Sequence, residues 1–268
     1  MKTLLPSSFF GLLLLPFILP FAAASAAMQS PIDITPYNTL YTPSLQPLLF
    51  QYSTSTSISL LNTGSPDHEA TIRATVEPGA GELVLGGTTY HLKQFHFHTE
   101  AEHRIDGHQA AMELHLVHLS SQGDILVVGQ MIEIGAFNPL LDAIFNDLPT
   151  QPGDSRTVSN FSLDGLLPLS QTTFRYDGSL TTAPYLEGVQ WNVFTEGTTM
   201  SQTQVDAFRS LFPHGDTREV QDLDGRWVLT DLKGFSAVPE PASLAVGILT
   251  IIPMICRARR KERWNSCA

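Results

Sequence analysis

Histidine is scarce in this chain of 268 residues, and six of its nine copies fall within residues 94–118. That segment reads QFHFHTEAEHRIDGHQAAMELHLVH, and at both ends histidine alternates with apolar residues. Successive side chains of an extended strand point to opposite faces. In QFHFH, Gln94, His96 and His98 therefore share one face, with Phe95 and Phe97 on the other. In ELHLVH, Glu113, His115 and Val117 share a face opposite Leu114, Leu116 and His118. The stretch between the two strands is long enough to fold back and holds an Asp106-Gly107 turn. Pairing them gathers His96, His98 and His115 on one side. Three neutral imidazoles leave one corner of a tetrahedron open, the arrangement of a catalytic rather than a structural zinc ion. Gln94 and Glu113 each stand one strand step before a histidine on its own face, placed to accept the ring N–H that a metal leaves free. A lone His-x-His pair is ordinarily a solvated or packed pair. The third histidine and the two polar neighbours turn the reading toward a metal site.

Such strands need a sheet to hold them in register. Short runs of β type recur along the chain: ATIRATVEP, GELVLGG, TYHLKQFHFH, MELHLVHL, DILVVGQMIEIG, FRYDGSLTT and VQWNVF. Gly, Asp, Asn and Pro punctuate them, as in strand-and-turn architecture. Helical signals are few. NPLLDAIFND, residues 138–147, has a proline just inside its start and an apolar stripe. MSQTQVDAFRSLF begins with a Ser201 cap and sets Val205, Phe208, Leu211 and Phe212 on one face. No repeat is evident. The expected fold is mainly β: a single domain with a central twisted, mostly antiparallel sheet and a few peripheral helices.

The two ends read as processing signals rather than as fold. Residues 1–27 combine Lys2, an apolar middle of about 13 residues and an Ala-rich close, the three parts of a secretory signal peptide. Residues 237–268 carry a Pro-Glu-Pro triplet, an apolar run of about 15 residues and five basic residues within seven. That run is shorter than the roughly 20 residues that cross a bilayer comfortably. Its basic end would stay in the cytoplasm. The order resembles the PEP-CTERM sorting tails of Gram-negative bacteria, which implies transient membrane insertion and cleavage by an exosortase-like enzyme. The expectation is export to the periplasm or cell surface, with tethering by the tail as an option. Between the signals lie roughly 210 residues, enough for one sizeable core. They hold 9 Lys and Arg against 24 Asp and Glu, a formal charge near −15, so nucleic acid is not an expected partner. Both cysteines, Cys256 and Cys267, lie in the tail, so the body forms no disulfide of its own.

Six motifs stand in a telling order: QSPIDI, QFHFH, the pair Glu102-His103, ELHLVH, YDGSLTT and VQWNVF. NPLLDAI follows the central strands and DTREVQDLDGR closes the body. In this order the chain resembles α-class carbonic anhydrases over residues 29–233. The resemblance implies a mainly antiparallel ten-stranded sheet with zinc at the base of a conical cleft. It implies reversible hydration of carbon dioxide to bicarbonate and a proton by attack of zinc-bound hydroxide. His96, His98 and His115 would be the zinc ligands. Thr181 would orient the hydroxide and pass its own proton to the carboxylate of Glu102. Val117, Val127, Leu180 and Trp191 would wall the substrate pocket, and His103 and Tyr176 would support the Glu113 network.

Three departures from the family pattern point to slow-to-moderate turnover. The aromatic-rich segment that usually precedes QSPIDI is replaced by the leader. In NTGSPDHEA, Ser65 stands where the family's proton-shuttle histidine usually follows Asn-x-Gly; His68, three residues on, is the candidate shuttle, or simply an exposed loop histidine. Tyr185 occupies the place where many bacterial members carry a disulfide cysteine. Two competing readings differ in kind. His96, His98 and Glu102 fit the start of a cupin His-x-His-x3-Glu pattern, but Gln109 stands where its glycine belongs. A non-catalytic surface-binding relative is the other; such proteins generally lose a zinc histidine, and this chain keeps all three.

Overall fold

The computed structural model describes residues 27–64 and 70–237. His68, residues 1–26 of the expected leader and residues 238–268 of the expected tail lie outside the described residues. One large sheet carries the site. Its main path uses ten strands: β1 (Thr39–Tyr41), β2 (Thr56–Asn62), β3 (Ile72–Val76), β4 (Thr88–His98), β5 (Met112–Ser120), β6 (Ile125–Ile134), β7 (Ser155–Phe161), β8 (Thr173–Ser179), β9 (Glu187–Phe194) and β10 (Val228–Thr230). Their spatial order is β7-β2-β3-β4-β5-β6-β9-β8-β10-β1. Leu49–Tyr52, Gly81–Leu85 and Thr198–Met200 pair alongside this path, and Asp33–Ile34 pairs with Arg104–Ile105 in a separate ribbon. Pairing is mostly antiparallel, as expected. The sheet is nevertheless mixed: β6 runs parallel to both β9 and Thr198–Met200, and β10 runs parallel to β1.

The alternation in β4 and β5 has a direct physical outcome. Phe95, Phe97, Leu114 and Leu116 are fully buried on the face away from the histidines. There they meet the two helices, α1 (Pro139–Phe145) and α2 (Gln202–Arg209), in an aromatic cluster. The Phe97 ring lies edge-on to Phe145 at 4.9 Å and to Phe208 at 6.3 Å between centroids. Asn138 caps α1 by accepting from the Leu141 N–H, and Ser201 and Gln204 form a reciprocal capping box on α2. Both helices stop short of their apolar patterns. α1 ends before Leu148-Pro149, where proline disfavours helical geometry in its predecessor. Leu211 and Phe212 reach the core from the turn after α2 rather than from the helix itself.

His118, on the helix side of β5, is fully buried. Its Nδ1–H donates to the Leu126 carbonyl at 3.2 Å, which leaves Nε2 to accept from the Tyr52 hydroxyl. Burial pushes its pKa down to about 4 from an ordinary 6.5, and the two backbone contacts only partly oppose this. Between those pH values the unfolded chain binds a proton that the folded one does not. Stability is therefore full above pH 6.5 and declines as pH falls toward 4, by about 3 kcal/mol from this residue. Urea unfolding across that range should show this slope in the native protein and not in His118→Gln. Parallel curves for the two proteins would exclude the effect.

Candidate metal centre

The register of β4 on β5 sets His96 directly opposite His115, His98 opposite Glu113 and Gln94 opposite Val117. A register shift between Leu92 and Gln94 precedes this run. The three expected histidines meet: ring centroids are 4.9 Å apart for His96 and His98, 5.2 Å for His96 and His115, and 4.7 Å for His98 and His115. One ring nitrogen from each lies within 4.8 Å of the others.

The hydrogen bonds decide which nitrogens remain available. His96 Nδ1 is 2.9 Å from Gln94 Oε1, and His98 Nδ1 is 2.8 Å from the Asp216 carbonyl. His115 Nε2 lies 3.0 Å from Glu113 Oε1, whose negative charge faces and holds that nitrogen. Nε2 of His96, Nε2 of His98 and Nδ1 of His115 are the nitrogens left over. His98 Nε2 and Glu102 Oε2 are both buried without a hydrogen-bond partner, 3.5 Å apart. Glu102 Oε2 is also 3.8 Å from His115 Nδ1.

Electrostatics point the same way. Burial, then repulsion from His98 and His115, holds His96 well below the usual imidazole range. Burial also lowers His115, against the pull of Glu113. Both rings thus keep a lone pair to donate. His98 is raised: burial lowers it, but Glu102 and Asp216 together outweigh that. The cluster therefore demands positive charge at a place where orphaned acceptor atoms converge. A cation answers both requirements, and an all-imidazole donor set without sulfur suits zinc.

Behind the trio lies a fully buried relay. Glu113 Oε2 accepts the backbone N–H groups of Glu102 and His103 at 2.9 and 2.8 Å, and Oε1 pairs with His103 Nδ1 at 2.8 Å. His103 Nε2 lies 2.6 Å from the Tyr176 hydroxyl, which donates to Ser30 Oγ at 2.9 Å. Charge attraction from His103 and His115 holds Glu113 well below the usual carboxylate range, although burial opposes it. His103, Glu113 and His115 also form a compact three-residue group. Both nitrogens of His103 already serve in the relay, so that group is less suited to a metal. Gly129, opposite His115 on β6, is required here. A Cβ at that position would stand 2.9 Å from Glu113 Oε1 and 3.4 Å from Val193 Cγ2.

A cavity of about 380 Å³ opens over the histidines. One wall is apolar and includes all four expected residues, Val117, Val127, Leu180 and Trp191. The other is polar and includes Thr63, Thr71, Arg73 and Gln94. Thr181 lines the cavity too. Its expected bond to Glu102 is not formed here: Glu102 Oε1 accepts the Arg218 N–H at 2.9 Å, and Oε2 has no partner. The sequence reading missed Asp216, Arg218 and Ser30. They belong to motifs it singled out, DTREVQDLDGR and QSPIDI, but nothing local marks the residues they reach across the fold.

Fold and site together define a class: a β-sheet protein with three convergent histidines on the floor of a half-apolar cavity, able to hold a catalytic metal ion. The family model described as eukaryotic-type carbonic anhydrase matches residues 19–231, starting within the stretch read as a leader. The chain is 36% identical over 205 residues to a carbonic anhydrase of Nostoc sp., covering 75% of each protein. It is 35% identical over 202 residues to that of Pectobacterium carotovorum, covering 75% of this chain and 79% of the relative. Among solved structures, the complex of α-carbonic anhydrase from Thermovibrio ammonificans with the inhibitor sulfanilamide superposes with a TM-score of 0.70 at 35% identity, covering 75% and 86% of the two chains. This chain belongs to the eukaryotic-type carbonic anhydrase family, and it is an enzyme.

Proposed function

We propose that the chain catalyses zinc-dependent, reversible hydration of carbon dioxide to bicarbonate and a proton. The observation that carries this reading is the convergence of three ring nitrogens with a buried unpartnered carboxylate oxygen beneath an apolar wall. His96 Nε2, His98 Nε2 and His115 Nδ1 would hold the ion. When bound, zinc supplies the Lewis acidity that ionises water near neutral pH, a property for which carbonic anhydrase is the general example. Val117, Val127, Leu180 and Trp191 offer carbon dioxide a surface with little affinity for water. The Thr181 hydroxyl has one hydrogen to give, and Glu102 Oε2 is an acceptor with no other claim on it. With that hydrogen engaged, the hydroxyl can only accept, so it orients the attacking oxygen with a lone pair toward the substrate. Gln94, Asp216 and Glu113 fix the rings. The proton leaves by His68 or directly to buffer. The leader and tail support export to the periplasm or cell surface, with an exosortase-like enzyme trimming the tail.

One experiment tests the whole reading. The full chain is produced in a Gram-negative host and purified. Its intact mass locates both processing sites, and stopped-flow hydration of carbon dioxide is measured with and without chelator. Chelator should abolish turnover and added zinc restore it, with imidazole buffer accelerating the native protein. Chelator-insensitive or absent hydration in zinc-replete protein would refute the catalytic reading.

A further inference from the structure

Among the described residues that line the cavity, Arg73 is the one permanently charged side chain. It lies on β3 with His96 opposite it on one side and Leu61 on the other, so neither cross-strand neighbour is acidic. It is exposed, and no ion pair or hydrogen bond holds it among the described residues. Five other arginines are anchored: Arg104 to Gln109, Arg156 to carbonyls of α1, Arg175 to Thr173, Arg218 to Ser30 and Arg226 to Leu223, while Arg209, on α2, does not line the cavity. A cavity-wall cation with no partner among the described residues, in an otherwise acidic protein, has a ligand of opposite charge as its natural complement.

We propose that Arg73 holds the anionic partner of the reaction, bicarbonate, and other small planar oxyanions against the polar wall of the cavity. A guanidinium presents two parallel N–H donors that match two oxygens of a carboxylate-like group, which an ammonium cannot do. Carbon dioxide has no charge and gains nothing from this contact. Arg73 therefore favours bicarbonate binding in dehydration and retards bicarbonate departure in hydration. It is a specificity residue that weights the two directions of catalysis differently. The kinetic part of this inference rests on the carbon dioxide reading above; the binding part does not.

The test uses zinc-loaded full-length protein, its Arg73→Gln and Arg73→Lys variants, and acetate as a planar, unreactive probe. Arg73→Gln should raise KM for bicarbonate about fivefold, the scale of an exposed charge pair, with KM for carbon dioxide unchanged. Arg73→Lys should recover part of the loss, because it restores charge without the fork. The difference between native and Gln proteins should shrink as ionic strength rises. Acetate binding measured by calorimetry should weaken about fivefold in parallel. That titration, repeated on chelator-treated protein, reads Arg73 whether or not the chain turns over. Unchanged bicarbonate KM and acetate affinity would overturn the proposal. So would equal increases in both KM values with a matching fall in melting temperature, which would make Arg73 a structural residue. Loss of turnover with an intact acetate response would count against the catalytic reading and leave this one standing.

Discussion

His96→Ala is expected to remain folded while losing both metal and activity. His96 is the least buried of the three ring donors, so truncation opens onto the cavity and should cost little stability. Two imidazoles cannot retain zinc against dilution as three do. Outer partners of a ligand alone change metal affinity or activity by about 10–100-fold, so removal of a ligand should exceed about 1,000-fold in turnover. Bound zinc, read by atomic absorption after gel filtration, should fall from about one per chain to under about a tenth. His108→Ala is the control. That histidine is exposed, pairs with Glu133 at 2.7 Å and should be silent. A His96→Ala protein that keeps a full complement of zinc and hydrates carbon dioxide at the native rate would refute the assignment of these ligands.

Glu113 offers the second large effect, and the two obvious substitutions separate its two roles. Glu113→Ala strips acceptors from the backbone N–H groups of Glu102 and His103 inside a region without water access. Each orphaned donor costs about 1–3 kcal/mol, so destabilisation near 4 kcal/mol is expected, read by urea unfolding. Glu113→Gln keeps the shape and one acceptor oxygen. That oxygen can still serve the two backbone groups, which leaves an NH₂ facing His103 Nδ1. His103 must then accept at Nδ1 and donate at Nε2, and His115 faces a donor where it had a carboxylate. Folding should therefore survive while zinc affinity falls by about 10–100-fold, measured by competition with a chromophoric chelator. Native zinc affinity in the Gln variant would mean that Glu113 supports the fold alone.

What could be read from the residues, and what could not, follows from how far each interaction reaches along the chain. Strand alternation is local, so the placing of Gln94, His96, His98, Glu113 and His115 on one surface was legible. So was the burial of the phenylalanines behind them. The caps at Asn138 and Ser201 are local as well, and Ser201 was found. The ends of both helices were not, because packing of Leu211 and Phe212 from a turn satisfies the same apolar pattern as another helical turn. Asp216 meets His98 across 118 positions, and Arg218 meets Glu102 across 116. Neither belongs to a periodic element, so only the folded chain reveals them. Arg73 sat in plain view within ATIRATVEP. Its exposure to the cavity depends on the pairing of β3 with β4, which no single strand encodes. The Thr181–Glu102 contact shows the converse: a pairing implied by resemblance, with both groups near the histidines but unbonded to each other.

The three histidines come from the fourth and fifth strands of a ten-strand path, far from either edge. Fraying begins at edges and termini, so this interior ladder should be the last backbone to open and the slowest to trade amide hydrogen for deuterium. The scaffold can thus be in place before any ion arrives, leaving little ordering entropy to be lost on capture. Starvation for the metal would then leave a silent but intact protein, ready to be refilled rather than rebuilt.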